Sequence, residues 1–113
     1  MRYGLYQLQL SDAVIARIRT SVHMNQPRDS VPEFEAKAQS MLGKPNLGLE
    51  LGLYAKVAEI EAKDLEDVFE IGNIGPEHKI TRIGRMSSVS VGDIIEDPAS
   101  VRMVVASFGF DPV

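Results

Sequence analysis

No cysteine occurs among the 113 residues. This absence excludes disulfide staples, thiolate zinc sites and a cysteine nucleophile together. Histidine is scarce. His23 and His78 lie far apart in polar stretches, with neither HxxE nor HExxH spacing, so no metal-ligand set and no cofactor site is legible. No apolar run approaches the roughly 20 residues of a membrane-spanning helix. The opening residues MRYGLYQLQLSDAVIARIR interrupt their apolar positions with Gln, Ser and Asp, unlike the continuous core of a secretory leader. A cytoplasmic protein without a membrane partner is the expectation. An excess of positive charge is missing as well. Twelve Lys and Arg stand against sixteen Asp and Glu, a net charge of −4, whereas nucleic-acid binders draw their affinity from bases that neutralise phosphates.

What is present is an ordinary globular composition, 44% apolar and 25% charged, at a length suited to one domain with a modest core. Tyr3, Leu5, Tyr6, Leu8 and Leu10 in RYGLYQLQL (2–10) predict a strand. Ser11 is placed to cap a helix bearing Val14, Ile15, Ile18 and Val22 on one face and ending near Val22. Ser30 and Glu33 have capping-box spacing around Pro32, with Phe34, Ala38, Met41 and Leu42 as the buried stripe and Gly43 and Pro45 as the stop. Residues 43–53, rich in Gly and Leu without periodicity, are expected to be a loop. LYAKVAEIEA (53–62) reads as a strand. Asp64 is a natural cap for a short acidic helix with Leu65, Val68 and Phe69 inward, closed by Asn73 and Gly75-Pro76. KITRIGRM (79–86) is extended or loop. SVSVGDII, DPAS and VRMVVASFGF read as strand, turn and strand. Helices early and strands late predict a single α+β domain with a mainly antiparallel sheet.

Charge is blocked rather than scattered. Residues 59–70 hold Glu59, Glu61, Asp64, Glu66, Asp67 and Glu70 with one Lys, and residues 79–85 hold Lys79, Arg82 and Arg85 with no acid. The two blocks can face each other or address partners of opposite sign. Catalytic chemistry is not legible in either. No nucleophile elbow accompanies the histidines. IGNIGPE (71–77) has neither the helix start nor the Lys of a phosphate cradle. Carboxylates at exposed helical spacing stay hydrated, and acid–base work needs one desolvated. Gly92-Asp93 reads as a turn after a strand, and Gly109 as relief of packing between Phe108 and Phe110.

The C-terminal half resembles the YodL-like domain. DLEDVFEIGNIGPE, SVSVGDIIED and VVASFGFDPV follow the order of that family's acidic-aromatic helix, its Asn with a following Pro-Glu, its Ser-rich strand and its closing SFGF strand. The matching residues are Leu65, Glu66, Asp67, Phe69, Asn73, Pro76, Glu77, Ser88, Ser90, Val91, Asp93, Ser107, Phe108, Gly109 and Phe110, within about 60–112. YGLYQLQL is similar to the family's opening strand, and Gly92 stands where the family often has Ser. The resemblance implies a small bacterial accessory protein of plasmids, phages or conjugative elements, for example one interfering with a host defence system. It implies no catalytic residue.

Three functional classes are compatible with these features. The first is a non-enzymatic module binding another protein through Asp64, Glu66, Asp67 and Glu70 and the exposed C-terminal sheet, with mimicry of DNA phosphates as a variant. The second is a nucleic-acid contact through Lys79, Arg82 and Arg85. The third is a hydrolase or transferase using His78 with Asp93.

Overall fold

The computed structural model describes residues 1–113. Six strands form one sheet: β1 (Arg2–Leu8), β2 (Tyr54–Glu61), β3 (Ile80–Arg82), β4 (Ile94–Glu96), β5 (Arg102–Val105) and β6 (Phe110–Pro112). Their order is β3-β2-β1-β4-β5-β6, and every neighbouring pair is antiparallel. Four helices complete the α+β domain: α1 (Asp12–His23), α2 (Pro32–Ser40), α3 (Asn46–Glu50) and α4 (Leu65–Ile74). None is long and apolar enough to cross a membrane.

The alternation of β1 decides the two faces of the sheet. Tyr3 pairs with Ile60, and Leu5 pairs with Ala58 and Ile95, so these side chains share one face. Val68 and Ile71 of α4 belong to the same buried cluster, with Leu65 packed against it. Leu5, Ile60 and Ile95 are wholly buried, and each contributes roughly 1.5–3 kcal/mol of apolar burial. The opposite face is polar at one end. There Arg2 and Lys56 flank Glu59, and Arg102 bonds Glu96 while lying 4.7 Å over the Tyr6 ring. At the other end α3 comes against Leu8 and Tyr54 through Gly48.

Two of the three capping expectations are met. The Ser11 hydroxyl accepts from Val14 N–H, and the Asp64 carboxylate accepts from Asp67 N–H. Asp67 in turn accepts from Lys63 N–H, which closes the first turn of α4 reciprocally. The capping box at Ser30 is not formed. Ser30 ends a 3-10 turn and shares a hydrogen bond with Ser21, Val31 occupies the cap without a side-chain bond, and Glu33 pairs with Arg17 of α1.

Several apolar positions also fall differently. In α2 the buried residues are Ala36 and Ser40, while Met41 and Leu42 lie past the helix and are exposed. In α4, Ile71 takes the inward place expected of Phe69, which is 39% exposed. Residues 46–50, expected as loop, form α3. Leu53 N–H returns to the Gly48 carbonyl, giving this Gly/Leu stretch a local hydrogen-bonded closure that no periodicity announces.

Candidate functional site

Ser88–Val91 are not a strand. They form an irregular approach to β4, held by a buried polar cluster. Gln7 on the core face of β1 donates to the Asp93 carboxylate at 2.9 Å and to the Ser87 carbonyl at 2.9 Å. Its own carbonyl oxygen accepts from Ser87 N–H at 3.0 Å, and Asp93 accepts from Ser90 N–H at 3.0 Å. The Tyr54 hydroxyl donates to the Gly92 carbonyl at 2.6 Å. Burial pushes the Asp93 carboxyl up to about 6, against the lowering effect of the Gln7 and Ser90 bonds. Burial first, and then the Asp93 charge, pushes the Tyr54 phenol up to about 12. Both bonds to the Asp93 carboxylate fall on Oδ2, and the Gln7 amide is used at both its nitrogen and its oxygen. His78 makes no side-chain hydrogen bond, and the carboxylate of Asp93 is engaged by Gln7 and Ser90, so the His78–Asp93 pair is not assembled.

A second feature opens on solvent. Between the first turn of α4 and the β5–β6 hairpin runs a groove of two adjoining depressions of about 530 and 290 Å³ that share Glu66 and Phe110. The larger is floored by Tyr3, Leu65, Met103 and Phe110 and rimmed by Asp64, Glu66 and Asp97. The smaller runs along Phe69, Val105 and the Ser107 and Gly109 backbone. The hairpin turn beside it carries Phe108, which is 96% exposed. Gly109 has a positive φ of 77°, and a Cβ there would meet nothing within 4 Å. The glycine therefore serves the turn and not, as expected, a close approach of Phe108 to Phe110.

Strand addition at the outer edge is disfavoured. Ala106 N–H bonds the Gly109 carbonyl and Val113 N–H bonds the Arg102 carbonyl, so the alternating ladder turns the main-chain polar positions of Phe110 and Pro112 toward the open edge. Pro112 has no N–H to offer, which blunts the edge.

Of the acidic residues singled out from sequence, Asp64, Glu66 and Asp67 lie at the start of α4 and Glu70 one turn on. Asp64 and Asp67 are engaged in capping. Glu66 and Glu70 are exposed and make no ion pair within the chain. Glu59 and Glu61 lie on β2, where Arg2 with Lys56 and the N-terminal ammonium hold their carboxyls below the usual range. The basic segment is dispersed over a 3-10 turn (Lys79), β3 (Arg82) and the following loop (Arg85). Arg82 forks onto Glu77. No ion pair joins the acidic helix to the basic segment, although the Lys79 charge contributes to lowering the Glu61 carboxyl on β2. Sequence reasoning missed Tyr3, Gln7, Asp97 and Met103. All four are ordinary strand or turn residues whose importance depends on which face they take.

Comparison with protein-family profiles, curated proteins and solved structures finds no match.

Proposed function

We propose that the chain is a non-enzymatic cytoplasmic protein-interaction module that captures another protein through the acidic start of α4 and the β5–β6 hairpin. The observation that carries this reading is Phe108, fully solvated at the hairpin tip beside an apolar groove. A ring in water adds nothing to folding, whereas aromatic anchors that become desolvated dominate interface energetics. Glu66 and Glu70 supply unpaired charge next to it, suited to steering a basic partner. The YodL-like resemblance supports an accessory role for a mobile genetic element of bacteria, such as interference with a host defence system.

Affinity capture from a bacterial host with mass spectrometry tests this. Phe108→Ser and the pair Glu66→Lys with Glu70→Lys should each lose the captured partner while thermal unfolding stays cooperative. Capture that is unchanged in both variants removes this face from consideration.

A further inference from the structure

We infer that the larger depression of the groove is a receptor for an arginine side chain of a partner polypeptide, with the partner's adjacent apolar residue entering the smaller depression beside Phe69. The inference rests on the interaction reading above and adds the chemistry of the occupant.

Tyr3 is its centre. The residue is only 5% exposed, and its hydroxyl makes no hydrogen bond within the chain. No polar side-chain atom is sealed in the core without a partner, so this hydroxyl opens onto the depression that Tyr3 lines. Open to the depression and unpartnered in the chain, the hydroxyl is free to accept a hydrogen bond from a ligand donor. Three carboxylates line the same depression, two from the start of α4 and one from the β4–β5 turn. Asp64 caps α4, Glu66 lies in the first turn, and Asp97 opens the β4–β5 turn. Asp64 uses Oδ1 for the cap and Asp97 uses Oδ1 for Ala99 and Val101 N–H, leaving each Oδ2 without a partner in the chain. Glu66 leaves both oxygens free. Lys63 is the one cationic side chain among the lining residues. Besides burial, the charges of Asp64 and Asp97 raise the Tyr3 phenol, so both carboxylates are felt at its oxygen.

The carboxylates form no group able to hold a metal ion. Dispersed acceptors around an aromatic and aliphatic floor suit a guanidinium, whose planar fork donates in several directions and stacks on rings. An ammonium offers a compact point charge and matches this spread less well. The adjoining apolar depression explains why the occupant is a peptide segment and not a free cation.

The test is a titration of the ¹⁵N-labelled full chain with an acetylated, amidated Gly-Leu-Arg-Gly peptide, followed by NMR. The comparison peptide carries citrulline in place of arginine, which keeps the shape and removes the charge. The arginine peptide should shift the amides of Tyr3, Leu65, Glu66 and Phe110 and bind about tenfold more tightly than the citrulline peptide. Tyr3→Phe, which keeps the ring, and Asp97→Asn, which keeps an acceptor for the turn, should each weaken it by a few-fold. Equal binding of the two peptides, or shifts elsewhere, overturns the arginine receptor. If that happens while Phe108→Ser still abolishes partner capture, the interaction reading stands and only the occupant is wrong. If the peptide binds as expected but capture is insensitive to Phe108, Glu66 and Glu70, the larger interface fails instead.

Discussion

Gln7 and Asp93 are joined by a 2.9 Å hydrogen bond between two buried side chains, and this bond ties the centre of the sheet to the entrance of β4. Gln7 also holds Ser87 by both N–H and carbonyl, so one amide fixes the start and the end of the irregular stretch 87–93. The stretch forms no ladder of its own, and this cluster takes the ladder's place.

The Asp93 carboxyl gives the fold a specific pH dependence. It ionises near 3.8 in a solvated chain and near 6 when folded. The folded state therefore holds this proton more tightly, and the group's contribution is fully present below about pH 4. It declines as pH rises through about 4 to 6, by roughly 3 kcal/mol in all, and is level above that. Asp93→Asn can accept the Gln7 and Ser90 bonds with its amide oxygen and does not titrate. Urea unfolding from about pH 4 to 8 should show the wild type losing stability relative to Asp93→Asn across that window. A constant difference would refute the assignment.

Gly92 permits a close approach of backbone to backbone. Its φ is +94°, and a Cβ there would lie 2.1 Å from the Ser40 carbonyl oxygen at the end of α2. Gly92→Ala should cost at least about 2 kcal/mol, from the strained φ and the displaced backbone together. Denaturant midpoints measure it, and a loss below about 0.5 kcal/mol would contradict the geometry.

Acidic residues of α4 should separate into two kinds. Asp64→Ala removes the cap on Asp67 N–H and should lower stability by about 1 kcal/mol. Glu66→Gln and Glu70→Gln, which have no partner in the chain, should stay within about 0.5 kcal/mol of the wild type. Thermal melts distinguish them. A charge-reversal experiment on partner binding is interpretable only at the second pair.

Phe108→Ser should leave stability within about 0.5 kcal/mol, because the ring is in water in the folded chain. A larger loss would mean that the ring packs in solution, and would remove the reason for giving it a binding role.

The basic segment should not bind nucleic acid on its own. Arg82 is occupied by Glu77, leaving Lys79 and Arg85 as its unpaired cations. Gel shifts with duplex DNA and with single-stranded RNA at near-physiological salt should show no complex at micromolar protein. A salt-sensitive shift abolished by Lys79→Ala with Arg85→Ala would favour the nucleic-acid reading.

Local chemistry was legible along the chain. Ser11 and Asp64 each carry an acceptor at the spacing a helix start requires, and Asp97-Pro98 supplies its own turn, since Asp97 bonds the next N–H groups directly. Alternation placed β1, β2 was read as a strand although its faces are mixed, and the antiparallel α+β class followed from the order of elements. The misreadings share one cause. Phe69, Met41 and Leu42 are apolar and nearly periodic, but their exposure depends on what the rest of the fold brings against them, which hydropathy along one segment does not encode. Ser30 had the right neighbours for a cap and found Ser21 instead.

The site divides the same way. The acidic helix start, the Asp97-Pro98 turn and the absence of thiol chemistry are readable along the chain, because each follows from residues adjacent in sequence, whereas the turn that splits VRMVVASFGF into β5 and β6 is not. The burial of Asp93 against Gln7, and the meeting of Tyr3, Glu66, Asp97 and Phe110 around one groove, emerge from the folded arrangement. These groups come from strands, a helix and a turn distant in sequence, and the register of the sheet together with the packing of α4 on it brings them together.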